Sequence, residues 1–409
     1  MGSGVFLLPS VLAPYGTLSF SGWLVTGFGS ILLALVFARL AARTSRSGGV
    51  YVYTRDAFGD LPGFIIAWGY WTCYWIAIPA MAIAFVGYLG VFVPALNNSP
   101  IWQCCAALAL MWLSIFVNTR SLKEATFVQL LMTVLKLLPL LVVIVLAMVS
   151  GDVANLPSSN PSGSPVLEVL ATTALLTMWA FSGMEAGAMP AGDVKNPEST
   201  IPKALIWGTV TVALIYVSST AAVMLLVPAD QLVGSTAPFA DAASSLGSWG
   251  AKLIAVGALI STAGAMHGTT FIAGHIPMAV ALDKQAPQWL ARRNAGGSPT
   301  LSLLLVGVLS TILLLTNYSR GLLGMFTLLV MMSTLAFMVP MIVCSLAEFL
   351  HSRHSARGWG AVAMAALLYS VFAVLGSGWQ TILWGLLFLA CGVPVHYLLN
   401  GVRSGSPTS

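Results

Sequence analysis

Charge is what this sequence has least of. Asp, Glu, Lys and Arg make up only 7% of its 409 residues, and 58% of the residues are hydrophobic. Because soluble globular domains carry about 25% charged residues, this shortage excludes an ordinary soluble enzyme or binding domain. The net charge of +5 does not indicate nucleic-acid binding either, since the basic residues are divided among short loops between apolar runs. The composition predicts a polytopic membrane protein.

Cysteines and enzyme motifs are also scarce. All the cysteines fall inside predicted membrane spans, which argues against a disulfide framework, and their spacing matches no zinc site; they are Cys73, Cys104, Cys105, Cys344 and Cys391. The sequence contains no phosphate-binding loop, metal-ligand cluster or nucleophile–base pair. Its early Gly-Ser-Gly is not a dinucleotide-binding motif, because no βαβ unit surrounds it. We therefore predict a protein that is not an enzyme and that holds neither a metal nor a cofactor.

Long apolar runs fill the chain instead. An α-helix needs about 20 residues to cross a hydrocarbon core about 30 Å thick. Eleven stretches reach or approach this length, at residues 19–41, 63–95, 102–118, 125–149, 166–190, 203–227, 250–281, 299–316, 321–349, 358–376 and 379–400. They predict an all-α polytopic membrane protein in which residues 1–409 form a single transmembrane domain surrounded by lipid.

The basic residues predict the orientation of these spans. Because successive spans run in opposite directions, the loops alternate between the two sides of the membrane. Only Lys252 and Arg320 fall on one side, Lys136 lies inside a span, and the rest of the 17 Lys and Arg residues fall on the other side. Positively charged loops stay in the cytoplasm. The loop at 42–62 and the C-terminus are therefore predicted to be cytoplasmic, in a bacterial-type inner membrane.

The span at 166–190 is interrupted by Ser182-Gly183-Met184-Glu185. A charged residue near the middle of a bilayer costs about 2.5–3.5 kcal/mol on insertion scales. A broken helix also leaves backbone groups without partners, which hydrocarbon tolerates only where they face protein or line a cavity. Such a break is typical of the place where a transporter holds its substrate.

The beginning of the chain predicts a second break. The apolar stretch before Pro14 is too short to span a bilayer, and it lacks the basic segment and cleavage site of a signal peptide. It has the pattern of the second half of a helix whose first half is absent from this chain, with Gly2-Ser3-Gly4 as the break. A misplaced start codon would account for the missing half-helix.

The two breaks together predict an internal repeat. Paired broken helices in corresponding halves indicate an inverted repeat with its site between them. Counting five spans from the first fragment puts the second break in the first helix of a second set of five. We therefore predict a first repeat at about 1–149, a second at 166–349 and two additional helices at 358–400.

Two ionisable residues lie deep inside the predicted spans. Glu185 either holds the broken helix through local hydrogen bonds or acts as a proton-sensing or substrate-coupled carboxylate. Lys136 lies about 18 Å and 24 Å along a helix from Glu124 and Asp152. Its stem cannot reach the interface, so its ammonium must face protein. It is either reversibly protonated or a fixed cation bound to carbonyl groups of the broken first helix in place of a sodium ion.

Aromatic and histidine side chains give weaker signals. Trp179 serves either core packing or an aromatic wall against the substrate. His267 and His275 do not share a helix face as metal ligands would. A lone polar partner in the bundle is the default interpretation, and a proton-linked role is the alternative. A further stripe at helical spacing favours packing over a site; it consists of Tyr70, Trp71, Tyr74 and Trp75.

Four stretches carry a family resemblance: residues 1–9, SGGVYVYTRDAFG at 47–59, WAFSGMEA at 179–186 and DVKNPESTIPKA at 193–204. Together they resemble the amino acid–polyamine–organocation superfamily, and specifically its basic amino acid/polyamine antiporters. The similarity is closest to the arginine/agmatine, cadaverine/lysine and putrescine/ornithine exchangers. It implies a leucine-transporter-type five-plus-five inverted repeat with two additional helices, alternating access and often a homodimer.

The resemblance also implies a site for a small-molecule amino acid or amine. In this chain the substrate-binding positions of the family correspond to Gly2, Ser3, Gly4, Cys73, Tyr74, Trp179, Ser182, Thr269 and Ser333. In the family the first break takes the substrate carboxylate, and the broken sixth helix takes the amine and packs its tryptophan on the substrate. Glu185 corresponds to a glutamate tied to proton response or polyamine binding, and together with Lys136 it is the predicted proton-coupling or gating pair.

Two departures from the family weaken the case for arginine or agmatine as substrate. A guanidinium-stacking tryptophan of the eighth helix is Thr269 here, and a third-helix asparagine is Ile78. Lys136 resembles the fifth-helix lysine of proton-coupled or sodium-independent members that handle neutral or varied amino acids. We therefore predict a secondary active transporter of amino acids or their amines that works by exchange. The alternative is a proton-coupled neutral or broad-specificity amino acid permease.

Overall fold

The computed structural model of the chain describes residues 3–43, 49–120, 125–185, 196–353, 358–376 and 378–401. These residues form α-helices joined by short turns and 3₁₀ segments. The helices are α1 (Leu8–Leu12), α2 (Ser19–Arg43), α3 (Val50–Phe58), α4 (Asp60–Leu89), α5 (Pro100–Asn118), α6 (Ala125–Ser150), α7 (Val166–Phe181), α8 (Pro197–Leu226), α9 (Ala229–Leu232), α10 (Pro238–Ala242), α11 (Ser248–Leu282), α12 (Thr300–Asn317), α13 (Leu322–Ser352), α14 (Trp359–Leu375) and α15 (Trp379–Gly401).

Each predicted span corresponds to one long helix, namely α2, α4 to α8 and α11 to α15. Within the described ranges, 7 helices are long and apolar enough to cross a membrane, and shorter apolar helices accompany them. Large apolar side chains also point outward from the bundle, as a lipid-facing surface requires; examples are Phe28, Met148, Leu214 and Leu368. The predicted all-α polytopic membrane architecture is confirmed.

Helix α4 lies at the centre of the bundle. It packs against α3, α5, α11, α12, α13 and α15. In its most apolar stretch of 18 residues, 89% of the residues are buried. A helix that is apolar on every side is stable only where protein or lipid surrounds it. Because protein surrounds α4, side chains from several of its faces reach the interior of the bundle.

Small residues allow α7 to approach its neighbours closely. A Cβ atom on Gly22 would lie 2.2 Å from Thr173 Oγ1, and one on Gly376 would lie 2.2 Å from the backbone carbon of Ala171. At the first of these contacts, Thr26 Oγ1 donates to the Ala174 carbonyl at 3.0 Å. Glycine at a helix interface brings two backbones together in this way in membrane bundles. Helices α2 and α14 therefore hold α7 in place up to its break.

A buried ion-pair cluster joins the C-terminal ends of α2 and α13. The side chain of Glu348 is only 1% exposed, and its Oε1 accepts from Arg39 Nε at 3.1 Å and from Arg43 Nη2 at 2.9 Å. Arg43 Nη1 donates to Oε2. The Arg39 guanidinium also lies over the Trp359 ring, 4.4 Å from its centroid. A buried carboxylate with this many charge-assisted hydrogen bonds fixes the relative position of the two helices.

We predict that Glu348→Gln destabilises the protein more than removal of an exposed carboxylate does. The change leaves two guanidinium groups, 27% and 28% exposed, without their counter-charge, so the loss lies below the about 3–5 kcal/mol of a fully buried pair and above that of an exposed one. The control is Asp60→Asn, because Asp60 pairs with Arg55 at 2.6 Å but is 61% exposed, where pairs contribute about 0–1 kcal/mol. Thermal unfolding of both detergent-purified variants measures the difference. Equal melting temperatures would contradict the prediction.

Candidate functional site

The predicted break in α7 is present. The helix ends at Phe181, and Gly183 has φ +93°, a conformation that glycine adopts without the strain imposed by a side chain. The Ser182 hydroxyl donates to the Trp179 carbonyl at 2.7 Å, which satisfies one carbonyl of the last turn. The end of α7 therefore brings backbone carbonyl groups into the interior of the protein. Residues 186–190 of the predicted span lie outside the described residues.

The start of the chain approaches the same place. Residues Ser3–Phe6 form a 3₁₀ turn ahead of α1. The Phe6 carbonyl accepts a hydrogen bond from the Tyr88 hydroxyl of α4 at 2.7 Å, and the Phe239 amide donates to the same hydroxyl at 3.3 Å. A fully buried tyrosine thus anchors the irregular backbone, a contact that the sequence did not predict.

Gly4 lies against the ring of Trp179. A Cβ atom added to Gly4 would lie 2.2 Å from the Cε3 and Cζ3 atoms of the indole, so only glycine fits at this position. Trp179 is 3% exposed, and the edge of its ring packs on Phe326 at a centroid distance of 5.5 Å. The two predicted breaks therefore meet across one aromatic ring.

A cavity of about 150 Å³ lies between these segments. Eight of the predicted site residues line it, namely Gly4, Cys73, Tyr74, Lys136, Trp179, Ser182, Thr269 and Ser333. Gly183 of the predicted break also lines it, and the sequence did not single out the remaining lining residues, which are Ala77, Met81, Ala265, Gly268 and Ile272. Gly2 and the Ser3 side chain lie outside the described part of the structure. Substrate binding by the lining residues stays a prediction.

Side chains of the cavity wall connect different helices. Ser333 Oγ on α13 donates to the Cys73 carbonyl on α4 at 2.8 Å. Thr269 Oγ1 on α11 donates to the Met81 sulfur on α4 at 3.5 Å. Helix α4 thus holds both α11 and α13 at the cavity, and the hydroxyls of Thr269 and Ser333 already have protein partners.

Glu185 lies beside the cavity and does not line it. Glu185 is only 2% exposed. Its Oε1 accepts from the Tyr70 hydroxyl at 2.6 Å and from the Tyr74 hydroxyl at 3.1 Å. Oε2 accepts from the Gly183 amide at 3.0 Å. The carboxylate therefore connects the break in α7 to α4. Tyr74, which it contacts, forms part of the cavity wall.

The two tyrosines belong to the aromatic stripe that the sequence assigned to packing. That interpretation fits Trp71, whose ring nitrogen donates to the Ala273 carbonyl at 3.0 Å, but it missed the bonds from Tyr70 and Tyr74 to Glu185. The signal was available in principle, because residues four apart on a helix lie on one face and tyrosine is a donor that a buried carboxylate can use.

Lys136 is buried as predicted. It is 5% exposed and lines the cavity from α6. Whether it acts as a fixed cation or as a proton carrier stays open at this point. The histidines lie away from the cavity wall: Asn118 Nδ2 lies 2.9 Å from His267 Nδ1, and His275 Nδ1 lies 2.8 Å from the Phe271 carbonyl. Each histidine thus has the single polar partner that the sequence favoured.

Comparison with known proteins identifies the family of this chain. The chain matches the amino acid permease family over residues 1–402. It is 32% identical over 323 residues to the cadaverine/lysine antiporter of Escherichia coli strain K12. The matched region covers 77% of this chain and 71% of that protein. It is also 28% identical over 393 residues to the putrescine transporter PotE of Haemophilus influenzae, covering 94% and 90% of the two chains.

A second putrescine transporter PotE, from Escherichia coli strain K12, is 27% identical over 408 residues and covers 98% of this chain and 93% of its own. These proteins are transporters, and so the comparison excludes an enzyme as the function of this chain. The family resemblance predicted from the sequence is confirmed. The chain is a multi-pass membrane protein and secondary transporter that belongs to the amino acid permease family, within the amino acid–polyamine–organocation superfamily.

Proposed function

We propose that the protein exchanges amino acids or their amines across the cytoplasmic membrane by alternating access, with the cavity as its substrate site. The observation that carries this proposal is that the 3₁₀ turn at Ser3–Phe6 and the broken end of α7 meet at one cavity in an otherwise α-helical bundle. Transporters place substrate at such interrupted helices. The names of the antiporter relatives support exchange.

The two segments offer complementary charge to an amino acid. The C-terminal end of α7 carries the negative end of a helix dipole, which favours the substrate ammonium. The Gly4 segment lies at the start of the first helical stretch, where amide groups favour the carboxylate. Gly4 lies against the Trp179 ring, which also lines the cavity, so we propose that the substrate packs on the indole.

The wider architecture follows from the sequence prediction. We propose the five-plus-five inverted repeat, with repeats at 1–149 and 166–349 and additional helices at 358–400, in an inner membrane with a cytoplasmic C-terminus. The basic loop residues fall on the predicted cytoplasmic side, and only Lys252 and Arg320 fall on the other. This distribution supports the orientation. The resemblance to the family supports a homodimer.

We assign proton coupling to Glu185 and Lys136. Glu185 can respond to substrate in the cavity, because its carboxylate contacts the cavity residue Tyr74 and the Gly183 amide at the break in α7. Lys136 places an amino group in the cavity wall, where it can stabilise the interrupted backbone as a cation or release a proton. A charged group so deep in a membrane protein is typical of an ion or proton pathway.

Exchange predicts that substrate inside a vesicle accelerates uptake from outside. Purified protein in liposomes is tested with labelled lysine, ornithine, putrescine, leucine and alanine, with and without the same unlabelled compound inside. We expect at least one compound to enter several-fold faster into loaded vesicles. Uptake that internal substrate does not accelerate would contradict exchange, and no uptake of any compound would contradict the proposed site as a whole.

Gly4→Ala is predicted to abolish transport. The added methyl group would overlap the Trp179 ring, so the ring must leave its position or the backbone segment must move away from the cavity. The matched control is Gly208→Ala on α8, because a Cβ atom at Gly208 meets nothing within 4 Å. We expect Gly208→Ala to transport like the wild type, and normal uptake by Gly4→Ala would show that the contact is not needed.

Glu185→Gln is predicted to flatten the pH dependence of transport while leaving the apparent affinity for substrate within a few-fold of wild type. The glutamine oxygen can still accept from Tyr70, but the side chain no longer takes up a proton. Uptake rates measured across a pH series test this, with Glu168→Gln in the exposed first turn of α7 as control. A pH profile unchanged from wild type would remove the proton role of Glu185.

A further inference from the structure

We infer that the substrate carried in this cavity has a small, uncharged aliphatic side chain, in the size range of alanine to valine, and is not a basic amino acid or a diamine. This inference rests on the proposed function, since it concerns the same cavity. It departs from what the names of the cadaverine/lysine and putrescine relatives suggest.

The charge of the cavity wall is the first observation. Among the lining residues that the structure describes, Lys136 brings an amino group and none brings a carboxylate. A second ammonium on the substrate would therefore enter a buried site that already holds a basic side chain. Like charges are strongly unfavourable next to each other at a buried site while Lys136 is protonated, and a second substrate ammonium without a carboxylate partner is costly to bury in either state.

Glu185 does not provide the missing carboxylate. It is absent from the lining of the cavity, and its two oxygens accept hydrogen bonds from Tyr70, Tyr74 and Gly183. Because Glu185 is 2% exposed, a substrate ammonium in the cavity could reach it only if the carboxylate or the Tyr74 side chain moved. The wall that the substrate meets is the tyrosine, a neutral group.

The space beyond the two backbone segments is mostly apolar. It lies between α4 and α11 and is lined by Ala77, Met81, Ala265 and Ile272. The Thr269 hydroxyl on this wall donates to the Met81 sulfur, so a neutral hydroxyl oxygen is the acceptor it can offer a cation, without a counter-charge. An aliphatic side chain fits such a surface, whereas a substrate ammonium would lose its hydration there without gaining a counter-charge.

The size of the cavity limits the substrate further. Its volume is about 150 Å³, and an apolar cavity of about 150 Å³ in a protein interior accepts a molecule of the size of benzene. Alanine and valine are close to that size. Lysine and arginine are larger than either.

The test is a panel of exchange measurements on the wild-type protein in liposomes at pH 7. Vesicles contain alanine, valine, lysine, putrescine or cadaverine, and each labelled compound is offered outside. We expect exchange of alanine and valine with one another, and a preference over lysine and the diamines of at least about 100-fold in apparent affinity.

Each outcome separates the two proposals. Exchange of lysine or a diamine with equal or better affinity than alanine overturns this inference and leaves the exchange function intact. Exchange of none of the compounds overturns the proposed function and this inference with it. Exchange limited to alanine and valine supports both.

Thr269→Asp provides a second, gain-of-function test. It introduces a carboxylate on the cavity wall, and we expect it to improve lysine or cadaverine exchange at least about tenfold relative to alanine, because the added cation then has a counter-charge. The matched control is Thr269→Asn, which has nearly the shape of the aspartate without its charge and should not show this gain for lysine or cadaverine. An equal change of preference in both variants would contradict the charge argument. The wild-type panel decides the question if either variant fails to fold.

Discussion

Hydrocarbon cannot hydrogen-bond to a peptide group, and this constraint governs the whole arrangement. Where the chain leaves the helical conformation inside the bundle, each exposed backbone group needs a partner. At the end of α7 the Ser182 hydroxyl supplies one by bonding to the Trp179 carbonyl. At the start of the chain Tyr88 supplies another by bonding to the Phe6 carbonyl. The backbone groups that face the cavity can be satisfied by a bound molecule, which is how an interrupted helix becomes a binding site.

The same constraint explains where buried charge is found. Glu348 is buried, and Arg39 and Arg43 surround it with charge-assisted hydrogen bonds. Glu185 is buried, and two tyrosine hydroxyls and one amide surround it. The Glu348 cluster joins the ends of α2 and α13 and fixes their relative position. The second joins the break in α7 to the cavity wall, so a change in either can reach the other through contacts of about 3 Å.

The sequence predicted the features that depend on local chemistry. Lengths of apolar runs located the long helices, and Ser182-Gly183 located the end of α7 within one residue of Phe181. The distance of Lys136 from any interface predicted its burial. Family resemblance named seven residues that line one cavity, and the burial of a charge named an eighth, Lys136. These predictions need only the length of a helix, the conformational freedom of glycine and the cost of a buried charge.

What the sequence did not predict depends on how helices rotate against one another. Helix α4 is apolar on nearly every face, so periodicity does not tell which residues face the cavity, and Ala77 and Met81 were missed. The bond from Tyr88 to Phe6 joins residues 82 positions apart, which no local pattern encodes. The cytoplasmic loop predicted at 42–62 also contains a helix, α3 (Val50–Phe58), which is too short to give a membrane-span signal.

The proposed function requires the transported molecule to occupy the cavity between the Gly4 segment and the end of α7. Alkylation of Cys73 tests this directly. Cys73 lines the cavity, whereas Cys105 and Cys391 are exposed and can be replaced by serine to leave the interior thiols. The rate of Cys73 alkylation by a small thiol reagent is followed by mass spectrometry, with and without a saturating transported amino acid, and buried Cys344 serves as an internal reference. We predict that the amino acid slows alkylation of Cys73 several-fold and leaves Cys344 unchanged; an alkylation rate at Cys73 that does not respond to a transported substrate would contradict the account.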